Sequence, residues 1–249
     1  MMMSKLYVGT MGWSYDFWVG KLYPEGTVSN MFLSEYAEHF LTVEVDNTFY
    51  RIPSIDTVEN WKSQTTDGFL FSAKFPRVIT HTKMLQNCQR ETNLFLEHLS
   101  HLQNKLGPLL IQLPPSFKPE HLSLLRDFLA DLPKDYRFVV EVRNKKLLDE
   151  KLYSLLREEN IALAWVDSSF MPETDLRTAD LVYIRWEGDR RKVNGMQGRV
   201  EIDRSDRIRE WAVKVRELLD GSVDVFGYFS KYYSGYPPAD AEQLLSRLQ

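Results

Sequence analysis

Phe138-Val139-Val140-Glu141-Val142-Arg143 is the stretch whose reading decides the fold. Side chains alternate along a strand, so Phe138, Val140 and Val142 share one face while Val139, Glu141 and Arg143 share the other. The first face is suited to packing beneath helices. The second places two charges at the C-terminal end of an otherwise apolar run. A parallel strand covered on both faces is almost wholly apolar. Charges confined to one face and one end therefore mark the interior mouth of a barrel, where such folds place their active sites.

Seven further runs extend the pattern: Leu6–Thr10, Leu41–Asp46, Phe69–Phe75, Leu109–Leu113, Ile161–Asp167, Leu181–Glu187 and Val223–Phe229. Their polar members also keep to one face. Glu44 stands opposite Val43 and Val45, Lys74 opposite Ala73 and Phe75, and Gln112 opposite Ile111 and Leu113. Asp167 stands opposite Val166, and Arg185 and Glu187 opposite Ile184 and Trp186. Between the strands lie apolar stripes at helical spacing. They are Leu33/Tyr36/Ala37/Phe40, Phe95/Leu99/Leu102/Leu106, Leu122/Leu125/Leu129/Leu132, Leu148/Leu152/Leu155, Ile208/Trp211/Val215/Leu218 and Ala241/Leu244/Leu245/Leu248. Ser168–Ala179, short and polar with Pro172, is the weakest helical segment. Eight βα alternations without a linker predict one α/β domain over residues 1–249, a (β/α)8 TIM-like barrel, and 249 residues suit it. The competing doubly wound sheet lacks its usual phosphate loops, since neither GxGxxG nor GxxxxGK[ST] follows any strand.

Composition bounds the rest. With 43% hydrophobic and 27% charged residues the chain is an ordinary folded protein, not a disordered one. Cys88 is the single cysteine, so a disulfide scaffold is excluded. The start has no signal-peptide core and no stretch reaches a membrane span, so the expected setting is cytoplasmic, with no membrane partner. The net charge of −4 disfavours a general nucleic-acid coat and permits a local basic patch. Such a patch occurs in Arg185–Arg199, where Arg185, Arg190, Arg191, Lys192 and Arg199 face only Glu187 and Asp189, five against two, a surplus of three. Lys231 follows the next strand, and Gly188, Gly195 and Gly198 would let the loop close on an anion.

Two readings of the polar ring stand side by side. One is a self-satisfied salt-bridge network closing the barrel top. The other is a polar pocket with Glu141, Glu44, Asp167 and Glu187 as candidate acid–base carboxylates for hydrolysis of an anionic or phosphorylated small molecule. Lys74, Gln112, Arg143, Arg185 and Lys231 would bind that substrate, and Trp13, Tyr15, Trp18 and Tyr50 would offer a flat wall to a sugar ring or base. The alternative to catalysis is a binding module for an anion, a nucleotide or a nucleic-acid backbone. A water-accessible pocket carboxylate with a raised pKa favours the enzyme; carboxylates all locked to Arg143, Arg185 and Lys74 favour binding or structure. No metal ligands are assigned: four of five histidines (His39, His98, His101, His121) fall in helical segments and neither HxH nor HExxH occurs, which disfavours zinc, while a carboxylate-rich Mg²⁺ site stays open as an alternative. No cofactor is expected. Cys88 lies outside every strand end, and Ser14 and Ser116 lack a positioned base.

Several motifs are ordered along the chain. They are Gly12-Trp13-Ser14-Tyr15-Asp16-Phe17-Trp18 continuing to Leu22-Tyr23-Pro24-Glu25-Gly26, then Glu44-Val45-Asp46-Asn47-Thr48-Phe49-Tyr50-Arg51-Ile52-Pro53, then Lys74-Phe75-Pro76 with Thr80-His81. Leu106-Gly107-Pro108 through Pro114-Pro115-Ser116-Phe117 and Glu141-Val142-Arg143 complete the set. From Gly9 to about Gly235 the chain resembles the YecE-like family, a group sharing a domain of unknown function. The resemblance implies a TIM-like barrel, brings no established reaction, and adds Asn47, Arg51 and His81 to the candidate binding residues. Two departures stand out. The family commonly has Arg-x-His-Gly where this chain has Arg185-Trp186-Glu187-Gly188, and aromatic-Phe-Asn-Asn where it has Tyr228-Phe229-Ser230-Lys231.

Overall fold

The computed structural model describes residues 4–249. Nine strands run parallel: β1 (Leu6–Met11), β2 (Thr42–Val45), β3 (Leu70–Lys74), β4 (Leu106–Gln112), β5 (Phe138–Glu141), β6 (Ala162–Leu163), β7 (Trp165–Ser168), β8 (Leu181–Gly188) and β9 (Asp224–Phe229). The order is β6-β5-β4-β3-β2-β1-β9-β8-β7. β6 and β7 are two halves of one strand parted at Ala164. The first half pairs with β5 and the second with β8, and the Ala164 amide still donates to the Val140 carbonyl at 2.9 Å. The sheet thus comes round on itself, and the eight expected strands form a TIM-like barrel.

Helices α1 (Phe32–Ala37), α2 (Ile55–Ser63), α3 (Gln89–Ser100), α4 (Leu122–Ala130), α5 (Glu150–Glu158), α6 (Ser205–Asp220) and α7 (Pro237–Leu248) cover the outside. Local chemistry sets their starts. Asp149 accepts from the amides of Lys151 and Leu152 at the head of α5, Ser54 accepts from the Thr57 amide at the head of α2, and Pro237 and Pro238 open α7. α2 is absent from the sequence reading because it buries only Val58 and Trp61. The stripe assigned to Phe95–Leu106 is shorter than expected, since Leu106 already opens β4. The polar stretch after β7 is not helical. Thr178 accepts from the Leu163 amide at 2.8 Å and donates to the Ile161 carbonyl at 2.7 Å, and the Trp165 indole donates to the Leu176 carbonyl, so an extended segment packs where a helix would lie.

Two apolar cores follow from strand alternation. The outer one lies between strands and helices and holds Val43, Val45, Ile111, Val140, Ile184 and Trp186. The inner one fills the barrel with Met11, Leu70, Leu110, Val139, Ala162, Ala164, Val166, Tyr183, Phe226 and Tyr228. Gly227 is needed in β9, because a Cβ there would sit 2.5 Å from the Trp186 ring, which stacks on Phe229. No helix among the described residues is long and apolar enough to cross a membrane.

Candidate functional site

Above the inner core, at the C-terminal strand ends, the interior turns ionic. Arg185 of β8 stands at its centre and is 2% exposed. Its Nε and Nη2 donate to the two Glu44 oxygens at 2.9 and 2.8 Å, and Nη1 donates to Glu141 Oε2 at 2.6 Å and to Glu187 Oε1. Nη2 also meets Met11 Sδ at 3.3 Å. A guanidinium has five N–H donors, and five acceptors surround this one. Arg143 joins from the end of β5, pairing with Glu141 through Nε and donating from Nη2 to Glu187 at 2.6 Å. Gln112 donates to Glu141 Oε1 at 3.1 Å, and the Tyr183 hydroxyl donates to Glu44 Oε2 at 2.7 Å. The geometry brings Glu44, Gln112, Glu141, Arg143, Arg185 and Glu187 together, as strand alternation requires. The place a metal ion would take among the three glutamates is filled by the Arg185 guanidinium.

Each carboxylate is held differently. Burial pushes Glu44 above the ordinary carboxylate range, although Arg185 opposes it. Burial also pushes Glu187 up, but Arg185, Arg143 and Lys74 together pull it down to about 2. Glu187 is therefore ionised at neutral pH. Glu44 and Glu141 are fully buried beneath the floor.

Over this platform opens a cleft of about 400 Å³, within the range of small-molecule sites. Lys74, Arg143, Arg185, Arg190 and Lys231 line it against Asp46 and Glu187, with Tyr15, His81 and Gln112 also in its walls. The cations differ in what they already touch. Lys74 Nζ stands 3.5 Å from Asp46 Oδ1 and 4.2 Å from the centre of the Phe49 ring. Lys231 lies over the rings of Tyr15 and Tyr232, and Arg190 over Tyr232. Among the described residues neither Arg190 nor Lys231 has a carboxylate within ion-pair distance. His81 sits in the turn Val78–Thr82 after β3, its Nδ1 within 2.9 Å of Thr80 Oγ1. Burial, then Lys74, Arg77 and Arg143, lower its pKa to about 4, so its ring is neutral at pH 7.

Several expected placements are corrected. Asp167 does not enter the barrel: its Oδ2 accepts from the Trp211 indole at 2.7 Å and Arg207 Nε at 2.9 Å, on the α6 side. The small Ala162, Ala164 and Val166 face inward instead, because the narrow interior has no room for Trp165. Arg185 is saturated by three carboxylates and the Met11 sulfur and has no donor left for a ligand. Trp18 is wholly buried in the outer core and Trp13 nearly so, so neither is an open wall of the cleft. Arg51 is exposed and lines neither the cleft nor its neighbour. Asn47, Tyr50 and an edge of Trp13 line an adjoining cavity. The basic loop is also not a free flap. Arg191 forks onto Asp189, Arg199 bonds Gln197, and Glu201 binds the amides of Asn194 and Gly195. Only Arg190 of that loop lines the cleft. The sequence reading passed over Asp46, Phe170 and Tyr232. Phe170, stacked by Arg143 at 4.9 Å, is a lone aromatic in a polar stretch, a signal that was there to use.

A parallel barrel carrying a buried Arg–Glu platform under a cationic cleft is a TIM-like barrel protein with a charged pocket at its C-terminal face. The particular family follows from comparison. The chain belongs to DUF72, described as proteins of unknown function, whose family model matches residues 7–249. It is 39% identical over 139 residues to the UPF0759 protein YecE of Escherichia coli K12; the match covers 56% of this chain and 48%, about half, of that relative. It is 26% identical to the UPF0759 protein YunF of Bacillus subtilis, over 98% of this chain and 94% of that one. A DUF72 family crystal structure from Thermotoga maritima matches with a TM-score of 0.79 at 26% identity, covering 98% of this chain and 99% of its own. A second, from Enterococcus faecalis, matches in fold with a TM-score of 0.76 at 22% identity, over 98% of each chain.

Proposed function

We propose that the cleft is a receptor for an anionic small molecule, a phosphate or carboxylate compound, held by Lys74, Arg190, Lys231 and the outer edge of Arg143. One observation carries this reading: the buried carboxylates are paired with Arg185 and Arg143, whereas Arg190 and Lys231 line the cleft with no carboxylate of their own among the described residues. Cations gathered in a concave, partly dry site raise the local concentration of anions, and guanidinium forks match phosphate oxygens. The same facts support binding above carboxylate-driven hydrolysis. Glu44 and Glu141 do not reach the cleft, and Glu187, already ionised and doubly paired, has no proton to give.

Titration calorimetry with inorganic phosphate tests the reading. At low salt the wild type should bind one anion per chain, and the double variant Arg190→Ala/Lys231→Ala should bind at least about tenfold more weakly, since two charge-assisted contacts are lost. Raising the salt should weaken binding. No binding heat, or a double variant as tight as the wild type, refutes it.

A further inference from the structure

Beside the cleft lies a second cavity of about 230 Å³, with Tyr15 and Asp46 as walls of both. Its remaining walls are Trp13, Asn47, Tyr50 and the loop Gly12–Ser14. From these residues we propose that the second cavity is a nucleoside subsite, so that the ligand of the barrel mouth is a nucleoside 5′-phosphate. This rests on the anion-receptor reading and names its ligand class.

Three features divide the work. Tyr50 is 81% exposed and is held edge-on by Phe49 at 5.2 Å, so its ring stands out as a platform. Trp13 is fixed behind the cavity by edge contacts with Trp61 and Phe71. An exposed aromatic face such as that of Tyr50 stacks bases without regard to sequence, because every base has a π-face. Asn47 is exposed and makes no side-chain hydrogen bond among the described residues, so its amide presents a donor beside an acceptor, the pairing a base edge takes. Asp46 stands where the cavities meet. Its Oδ1 is buried against Lys74 Nζ at 3.5 Å, while the side chain is 47% exposed, so its other oxygen, Oδ2, is the one open to a ligand. A carboxylate oxygen between an aromatic platform and a cationic pocket is an acceptor for ribose hydroxyls, the use dinucleotide-binding folds make of an acidic residue. Phosphate, ribose and base thus fall in order from Lys74, Arg190 and Lys231, past Asp46, to Tyr50 and Asn47. The two cavities together fall within the roughly 300–1,000 Å³ of small-molecule sites.

Calorimetry of the full chain with inorganic phosphate, ribose 5-phosphate and adenosine 5′-monophosphate separates the steps. Adenosine 5′-monophosphate should bind at least about fivefold more tightly than ribose 5-phosphate, as expected for one stacked base. Tyr50→Ala should erase that gain while leaving phosphate affinity within about twofold, and its unchanged melting temperature shows that the fold is intact. Asp46→Asn should weaken ribose 5-phosphate relative to phosphate. Adenosine 5′-monophosphate no tighter than ribose 5-phosphate, or undiminished by Tyr50→Ala, overturns the nucleoside subsite and leaves the anion receptor standing. Failure of inorganic phosphate and of both phosphate esters to bind overturns the receptor reading itself.

Discussion

Replacing Arg185 with methionine removes the one cation that touches all three buried carboxylates, and the structure sets the cost. Among the described residues Glu44 has no other cationic partner, only the Tyr183 hydroxyl. Glu141 keeps Arg143 and the Gln112 amide, and Glu187 keeps Arg143. Breaking a buried ion pair by deleting one partner costs about 3–5 kcal/mol, because the remaining charge is left without water or counter-charge. For a chain of this size each kcal/mol lowers Tm by roughly 2–4 °C, so the variant should melt roughly 6–20 °C below the wild type at pH 7. The pH dependence supplies a second signature. Glu44, already raised by burial, loses the charge that opposes the rise, so the folded variant takes up a proton more readily than the wild type and gains more stability as pH falls from 7 toward 5. The wild type has no such gain from Glu187, whose folded pKa of about 2 keeps its contribution in place above about pH 4.5. Arg185→Met/Glu44→Gln should recover part of the loss by removing the stranded charge. Melting by circular dichroism across pH 5–8 reads all three. An Arg185→Met variant within about 1 kcal/mol of wild type at pH 7, with no recovery in acid, would refute the view that an ionic platform supports the mouth.

Two titrations follow from other groups. His81, held at about 4, is protonated in the unfolded chain before the folded one, so stability should fall between about pH 6.5 and 4; His81→Gln should flatten that slope, and NMR of the His81 ring should show its midpoint rise when phosphate neutralises the nearby cations. Asp240 is raised to about 7 by burial, against the Ser234 hydroxyl and Arg204. Its folded pKa lies above its unfolded value, so stability is lost as pH rises through about 7; Asp240→Asn, still able to accept from Ser234, should gain roughly 2–4 kcal/mol at pH 8 and little at pH 4, and equal melts at pH 8 would contradict this.

Strand alternation made most of the barrel legible, because a buried charge on a strand is rare enough to mark a face. Glu44, Lys74, Glu141, Arg185 and Glu187 were placed by parity alone. The sixth strand defeated the same rule. Its run Ile161-Ala162-Leu163-Ala164-Trp165-Val166-Asp167 is apolar on both faces until the end, and residue size, not polarity, decides which face turns inward. Asp167 then follows Trp165 outward and finds Arg207. Pairing was out of reach for a different reason. Sequence gives a pool of cations and carboxylates, but only the shared position of Glu44, Glu141 and Glu187 around one guanidinium shows that Arg185 is saturated while Arg190 and Lys231 are not. Loop aromatics were equally ambiguous: Trp18 is core, Tyr50 is exposed, and both lie in turns near strand ends. Glu187, Ser230 and Lys231, where the sequence departs from the pattern its family resemblance implies, all line the cleft.

The anion proposed for the cleft is held by cations the buried network does not use. Crystals soaked in selenate, with anomalous data collected at the selenium edge, locate the anion directly. A strong peak is expected in the cleft, with selenate oxygens about 3 Å from Lys74 Nζ, Lys231 Nζ and the Arg190 guanidinium. A cleft without a peak, with Arg190 and Lys231 paired to carboxylates or turned to bulk solvent, would contradict it.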